Sequence, residues 1–127
     1  MAVHFNHTIV FSRDRQVSAE FLAHILGLKV GRQWGPFLPV ETANGVTLDF
    51  ATSDQETITE HHYAFLVGED EFDEILGRVK AAGVTYYPDP RLSRPNEINH
   101  NDGGRGFYFL DPDGHGMEVI TVPYGGW

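Results

Sequence analysis

Hydrophobic positions follow two periods along this chain, and the periods alternate in the same order twice. His4 to Phe11 reads as a first strand. In Arg15 to Leu26, the apolar residues Val17, Phe21, Leu22 and Ile25 are spaced for one face of a helix. Ser12 or Asp14 is placed to cap its start, and Gly27 follows the last apolar turn as a stop. Leu28 to Arg32 and Phe37 to Glu41 read as short strands. Asn44-Gly45 signals a tight hairpin turn before a strand from Val46 to Ala51. The order is strand, helix, strand, strand, strand.

A polar linker, Thr52 to Glu60, separates this half from a second that repeats the order. His62 to Val67 reads as a strand, and Phe72, Ile75, Leu76 and Val79 mark the buried face of a helix that Gly83 ends. Thr85 to Tyr87, Gly106 to Leu110 and Met117 to Val122 supply three more strands, the last two joined by the turn residues Asp111-Pro112-Asp113-Gly114. The halves also share detail. His7 begins HTIVF and His62 begins HYAFLV, and Gly27 and Gly83 both precede short strands. The segment from Pro88 to Arg105 breaks the symmetry. Its prolines, asparagines and glycines predict a loop, the kind of segment that carries either binding groups or plain surface.

One residue departs from the apolar pattern. Glu118 sits inside the last strand between Met117 and Val119. A carboxylate there needs a cation, a hydrogen-bond donor or water. His7 and His62, at corresponding starts of the two halves, supply imidazole nitrogens, and with Glu118 they make a donor set suited to Fe(II), Mn(II), Ni(II), Co(II) or Zn(II). Three protein ligands leave coordination positions for water and substrate. Each residue also has a plain alternative: His7 as a strand hydrogen-bonding group, His62 as a surface neighbour of His61, and Glu118 as the ion-pair partner of Arg105.

Composition narrows the function classes. The 18 acidic residues against 9 Lys and Arg give a formal net charge of -9, which disfavours nucleic acid and anionic membrane surfaces. The chain contains no cysteine, so thiolate catalysis, disulfides and zinc–thiolate sites are excluded. MAVHFNHTIVF carries no basic leader followed by an apolar stretch, and no apolar run approaches a membrane span. A soluble cytoplasmic protein is expected.

NHTIVF, HYAF and YFLDPDGHGMEV, in that order, resemble the vicinal oxygen chelate superfamily. That group includes glyoxalases, extradiol dioxygenases, fosfomycin-resistance enzymes and bleomycin-binding proteins. The resemblance implies an α+β fold, with paired βαβββ modules forming a curved mixed sheet around a cavity. Residues 1–127 would form one glyoxalase-like domain, its modules 1–55 and 60–123 joined by the polar linker. It further implies one divalent metal held by His7, His62 and Glu118, a small oxygenated organic substrate, and a homodimer that places His7 of one chain beside His62 and Glu118 of the other if modules are exchanged.

Local similarity is strongest to the fosfomycin-resistance branch, where Tyr108 matches a tyrosine near the substrate site. The match has gaps: no arginine follows Glu118, and Ile9 stands where thiol-transferring members have a threonine. A glyoxalase I reading needs a fourth ligand, and the matching stretch places Leu48 there with Asp49 on the opposite strand face. Extradiol dioxygenases use three ligands with Fe(II) and O2, and bleomycin binders use the cavity without turnover. Around the metal, Tyr108 and His100 are the candidate proton-transfer groups. Trp34, Arg94, Asn99 and Arg105 are candidate substrate contacts, and His115 reads as a turn residue.

Overall fold

The structure is a computed structural model that describes residues 2–124. It divides into two compact units, 1–59 and 60–127. The first contains β1 (His7–Ser12), α1 (Arg15–Leu26), β2 (Phe37–Glu41) and β3 (Thr47–Thr52). The second contains β4 (His62–Leu66), α2 (Glu69–Ala81), β5 (Tyr86–Tyr87), β6 (Gly106–Leu110) and β7 (Gly116–Ile120). Both units are strand–helix–strand repeats built on mixed sheets, the paired modules of an α+β fold.

In the first unit the strands lie in the order β1-β3-β2, with β1 parallel and β2 antiparallel to β3. Local chemistry sets the limits of α1. Asp14 accepts hydrogen bonds from the amides of Gln16 and Val17, and Gly27 closes the helix at φ 73°, a conformation that favours glycine. The helix buries Ala19, Leu22, Ala23 and Ile25, while Val10, Leu38, Val40, Leu48 and Phe50 form the buried side of the sheet. Val17 was expected on the helix's buried face but stands 51 % exposed; the small side chains of Ser18 and Ala19 turn inward instead.

The expected strand Leu28 to Arg32 does not form. Contact there shrinks to a single bridge between Val30 and Val40 and one bond from Gly31 N–H to the Pro39 carbonyl at 2.8 Å. Proline at 39 has no amide hydrogen to return, so the ladder cannot extend past it. The Asn44-Gly45 turn is present, with Gly45 at φ 80°.

The second sheet runs β4-β7-β6-β5, with β4 parallel to β7. One face is apolar: Phe107, Phe109, Met117 and Val119 are fully buried, as are Phe72 and Val79 of α2, with Ile75 at 2 % exposure. Phe107 is the centre of an aromatic cluster, with ring centroids 5.3 Å from Phe72, 5.8 Å from Tyr86 and 6.0 Å from Phe109. Glu69, Asp70 and Glu71 in the first turn of α2, with Arg78 and Lys80 in the last, complement the helix dipole. No helix is long and apolar enough to cross a membrane among the described residues.

Strand alternation gives each sheet a second face. In the first unit that face carries His7, Ile9 and Phe11, all exposed. In the second it carries His62, Ala64 and Leu66 on β4, Glu118 on β7 and Tyr108 on β6, because the registers pair Ala64 with Glu118 and Glu118 with Tyr108.

Candidate active site

Glu118 is 2 % exposed although it lies on the polar face of its sheet. Its cover comes from three side chains. His62 Nε2 lies 3.0 Å from Glu118 Oε1, and the Tyr124 hydroxyl donates to the same oxygen at 3.0 Å. Tyr108, opposite Glu118 in the register, stacks on the His62 ring with centroids 5.9 Å apart.

The proton inventory of His62 is informative. Its Nδ1 lies 2.9 Å from the Gly116 carbonyl, which can only accept, so Nδ1 carries the hydrogen. Neutral His62 therefore presents a lone pair at Nε2, directly toward a carboxylate oxygen. Two acceptors at 3.0 Å repel unless a proton or a metal cation lies between them. A ring whose far nitrogen is held by a backbone carbonyl is also the usual outer support of a metal-binding histidine. The donor chemistry thus fits a divalent cation. Among the described residues, no group of three or more His, Cys, Asp or Glu side chains converges closely enough to hold one, so His62 and Glu118 form a two-donor set within the second unit.

Tyr108 and Tyr124 remain proton donors well into the alkaline range. Burial pushes the Tyr108 phenol up strongly, and its hydrogen bond to Glu118 and the nearby negative charge add to the rise. Burial also raises Tyr124, again reinforced by Glu118. A cavity of about 480 Å³ opens beside these groups, lined by His61, His62, Pro90, Leu92, Tyr108 and Leu110 among others. A second depression of about 460 Å³ lies between Asn101, Asp102, Tyr108 and Tyr124. Tyr108 borders both.

Other expected residues fall elsewhere. Arg105 is not the partner of Glu118. Its Nε binds Glu69 Oε1 at 2.8 Å, its Nη1 binds Asp73 Oδ1 at 2.8 Å, and its guanidinium lies 4.3 Å from the centre of the Phe72 ring. Position 105 precedes the strand and reaches the start of α2, where Glu69 and Asp73 are the carboxylates that pair with it. Asn99 ties the loop together, donating to the Pro88 carbonyl at 2.9 Å and accepting from the Asn101 amide at 3.1 Å. Arg94 is exposed beside Glu97 at 3.8 Å, and His100 is exposed at the start of a short 3-10 turn.

In the first unit, Trp34 is 72 % exposed and stacks on Phe37 at 5.8 Å. The amide group of Asn6 is hydrogen-bonded to His7 Nδ1 at 2.8 Å. The register pairs Ile9 with Asp49, so Asp49 shares the face of His7 while Leu48 lies in the core. Leu48, which the resemblance matches to a fourth-ligand position, thus faces the core, and Asp49, expected on the opposite face, lies on the side of His7 without a bulge.

Two residues had not been anticipated at the site. Tyr124 follows the last strand with no periodic signal pointing to Glu118. His115, read as a turn residue, is fully buried; its Nδ1 accepts the His61 amide at 3.0 Å. Its place in the DPDGHG run, one residue before the start of β7, was the available clue.

Known proteins share this fold. Residues 4–119 match the sequence family described as the Glyoxalase/Bleomycin resistance protein/Dioxygenase superfamily. The solved structure titled Oxidase ChaP-H2 is 60 % identical, superposes with a TM-score of 0.95, and covers 98 % of each chain. Oxidase ChaP-H1 is 54 % identical with a TM-score of 0.94, covering 98 % of this chain and 100 % of its own. The glutathione transferase FosA of Serratia marcescens is 32 % identical over 120 residues, 90 % of this chain and 77 % of that protein.

Proposed function

We propose that this chain, which belongs to the Glyoxalase/Bleomycin resistance protein/Dioxygenase superfamily, is a metal-dependent oxidase of a small oxygenated organic molecule. The observation that carries the reading is the buried Glu118 carboxylate facing the lone-pair nitrogen of His62 at 3.0 Å. The choice of oxidation rests on identities of 60 % and 54 % to two proteins titled oxidases, against 32 % to a glutathione transferase.

His62 and Glu118 would hold one divalent metal, with His7 as the third donor. Fe(II) is the favoured ion, with Mn, Co, Ni and Zn as competitors that the same nitrogen and oxygen donors accept. When bound, the metal supplies Lewis acidity toward adjacent substrate oxygens and open coordination positions. The chain's own groups do the rest. The Gly116 carbonyl fixes the His62 ring, and the neutral Tyr108 phenol holds a proton at the edge of the cavity. The apolar wall of Pro90, Leu92 and Leu110 receives the carbon skeleton of the substrate.

The proposal includes a homodimer in which His7 of one protomer completes the donor set of its partner. Ile9 and Phe11, 40 % and 51 % exposed beside His7 on β1, are the apolar surface that a second copy would cover. The acidic balance and the absence of a membrane-length helix among the described residues fit a small-molecule enzyme.

The test is a metal-resolved substrate panel: catechols with Fe(II) and O2, methylglyoxal with glutathione, fosfomycin with a thiol, and bleomycin binding in parallel. Oxygen uptake coupled to loss of an organic substrate bearing vicinal oxygen groups is expected, and it should vanish in His7→Ala, His62→Ala and Glu118→Gln. Thiol addition without oxygen uptake would replace oxidase by transferase. Bleomycin binding without turnover or metal dependence would replace it by sequestration.

A further inference from the structure

We propose that His115 is a positioning residue that holds His62 in its donor tautomer and orientation, a role that rests on the reading of His62 as a metal donor. The argument starts from burial. An imidazole with no exposed surface must satisfy its ring nitrogens internally. One of them, Nδ1, accepts the His61 amide hydrogen at 3.0 Å, so it carries no proton of its own. His61 is the residue before His62. On the other side, Gly116 follows His115; its amide donates to the His61 carbonyl at 2.9 Å, and its carbonyl receives Nδ1–H of His62 at 2.9 Å.

The two strands are therefore joined at their entrance by three bonds within two consecutive residues of each chain segment. The His115 ring fixes the backbone of β4, and the Gly116 carbonyl fixes the ring that β4 presents. Both sides depend on the turn before β7. There Asp111 Oδ1 accepts the amides of Asp113 and His115, each at 2.9 Å, and the Asp111 amide donates to the His115 carbonyl at 3.0 Å. Gly114 turns the chain at φ 88°, where a side chain would be strained. Tyr63 meets the His115 ring edge-on at 5.9 Å and His61 lies against it at 6.0 Å, so the imidazole has fixed neighbours. Without an acceptor at this position the His61 amide would be left without its partner, the start of β4 would loosen, and His62 would lose its single preferred tautomer.

Two substitutions separate positioning from mere filling of space. His115→Asn places a carbonyl oxygen at the same δ position as the lost nitrogen, whereas His115→Leu fills the volume without an acceptor. The readouts are the His62 tautomer in the metal-free protein, from long-range nitrogen-15 NMR, and the affinity for Mn(II) alone. Wild type and His115→Asn should both show Nδ1–H on His62. His115→Leu should show mixed tautomers and Mn(II) binding weaker by about tenfold or more, the usual effect of losing an outer support. An unchanged His62 tautomer in folded His115→Leu overturns the proposal. So does loss of the tautomer in folded His115→Asn, which decides the matter if the leucine variant does not fold. Wild-type protein that shows the tautomer yet refuses Mn(II) would sink the metal reading and leave the positioning role standing.

Discussion

Tyr124 and Glu118 meet across 3.0 Å, the phenol donating to the carboxylate oxygen that also faces His62. This contact makes the oxygen a shared resource, because a cation bound between His62 and Glu118 competes with the phenol for it. Tyr124→Phe should therefore bind Mn(II) more tightly than wild type while the metal-free protein becomes less stable. Titration calorimetry and thermal unfolding check the two signs. Weaker Mn(II) binding in the variant would mean that the phenol supports the donor set rather than competing with it.

Sharing of the site between protomers has a direct test. His7→Ala and Glu118→Gln should each fail to bind metal alone. Co-refolded in equal amounts they should recover roughly a quarter of wild-type sites, since half of the dimers are mixed and each mixed dimer carries one complete set. No recovery in verified mixed dimers would place the donors within one chain.

Alkaline titration reports on the two phenols. The folded values of Tyr108 and Tyr124 lie above the ordinary tyrosine value of 10.0. The folded state therefore retains these protons where the unfolded state releases them. Their contribution to stability is full below that value and is lost as pH rises through the higher folded values. The phenolate absorbance band should show tyrosines that ionise late, and the latest should disappear in Tyr108→Phe.

Arg105→Ala removes an ion pair with Glu69 and Asp73, not with the site. Stability should fall in low salt, with the difference shrinking as salt is added. Mn(II) affinity should stay at the wild-type level. A marked loss of affinity would tie the start of α2 to the metal donors.

Phe107→Ala opens the centre of the aromatic cluster between the second sheet and α2. Removal of a fully buried ring costs about 3–5 kcal/mol. That is a large share of the ~5–15 kcal/mol that holds a typical domain together. Denaturant unfolding should register a loss on this scale; a cost under about 1 kcal/mol would mean that the cluster repacks.

Much of this fold is legible one segment at a time. The limits of α1 follow from Asp14 and Gly27, residues in direct contact with the helix ends, so no distant partner is needed to place them. Glu118 stood out because it interrupts an apolar strand, whereas its burial comes from the His62, Tyr108 and Tyr124 side chains that cover it. His62 stood out because its half repeats the order of the first.

Pairings between distant segments carried the remaining decisions. Whether Leu48 or Asp49 shares a face with His7 depends on a one-residue register against β1, to which both alternatives look alike in sequence. Arg105 had carboxylates available at several positions, and proximity to the start of α2 selected Glu69 and Asp73 over Glu118. Tyr124 and His115 carry no periodic signal at all; one reaches Glu118 and the other the His61 amide only because β4, β6 and β7 lie side by side. Local residue chemistry thus determined which segments are helices and strands and which side chains were out of place among them. Tertiary pairing decided which of those side chains meet, because a hydrogen bond or ion pair forms with whatever group the fold brings within about 3 Å, regardless of its distance along the chain.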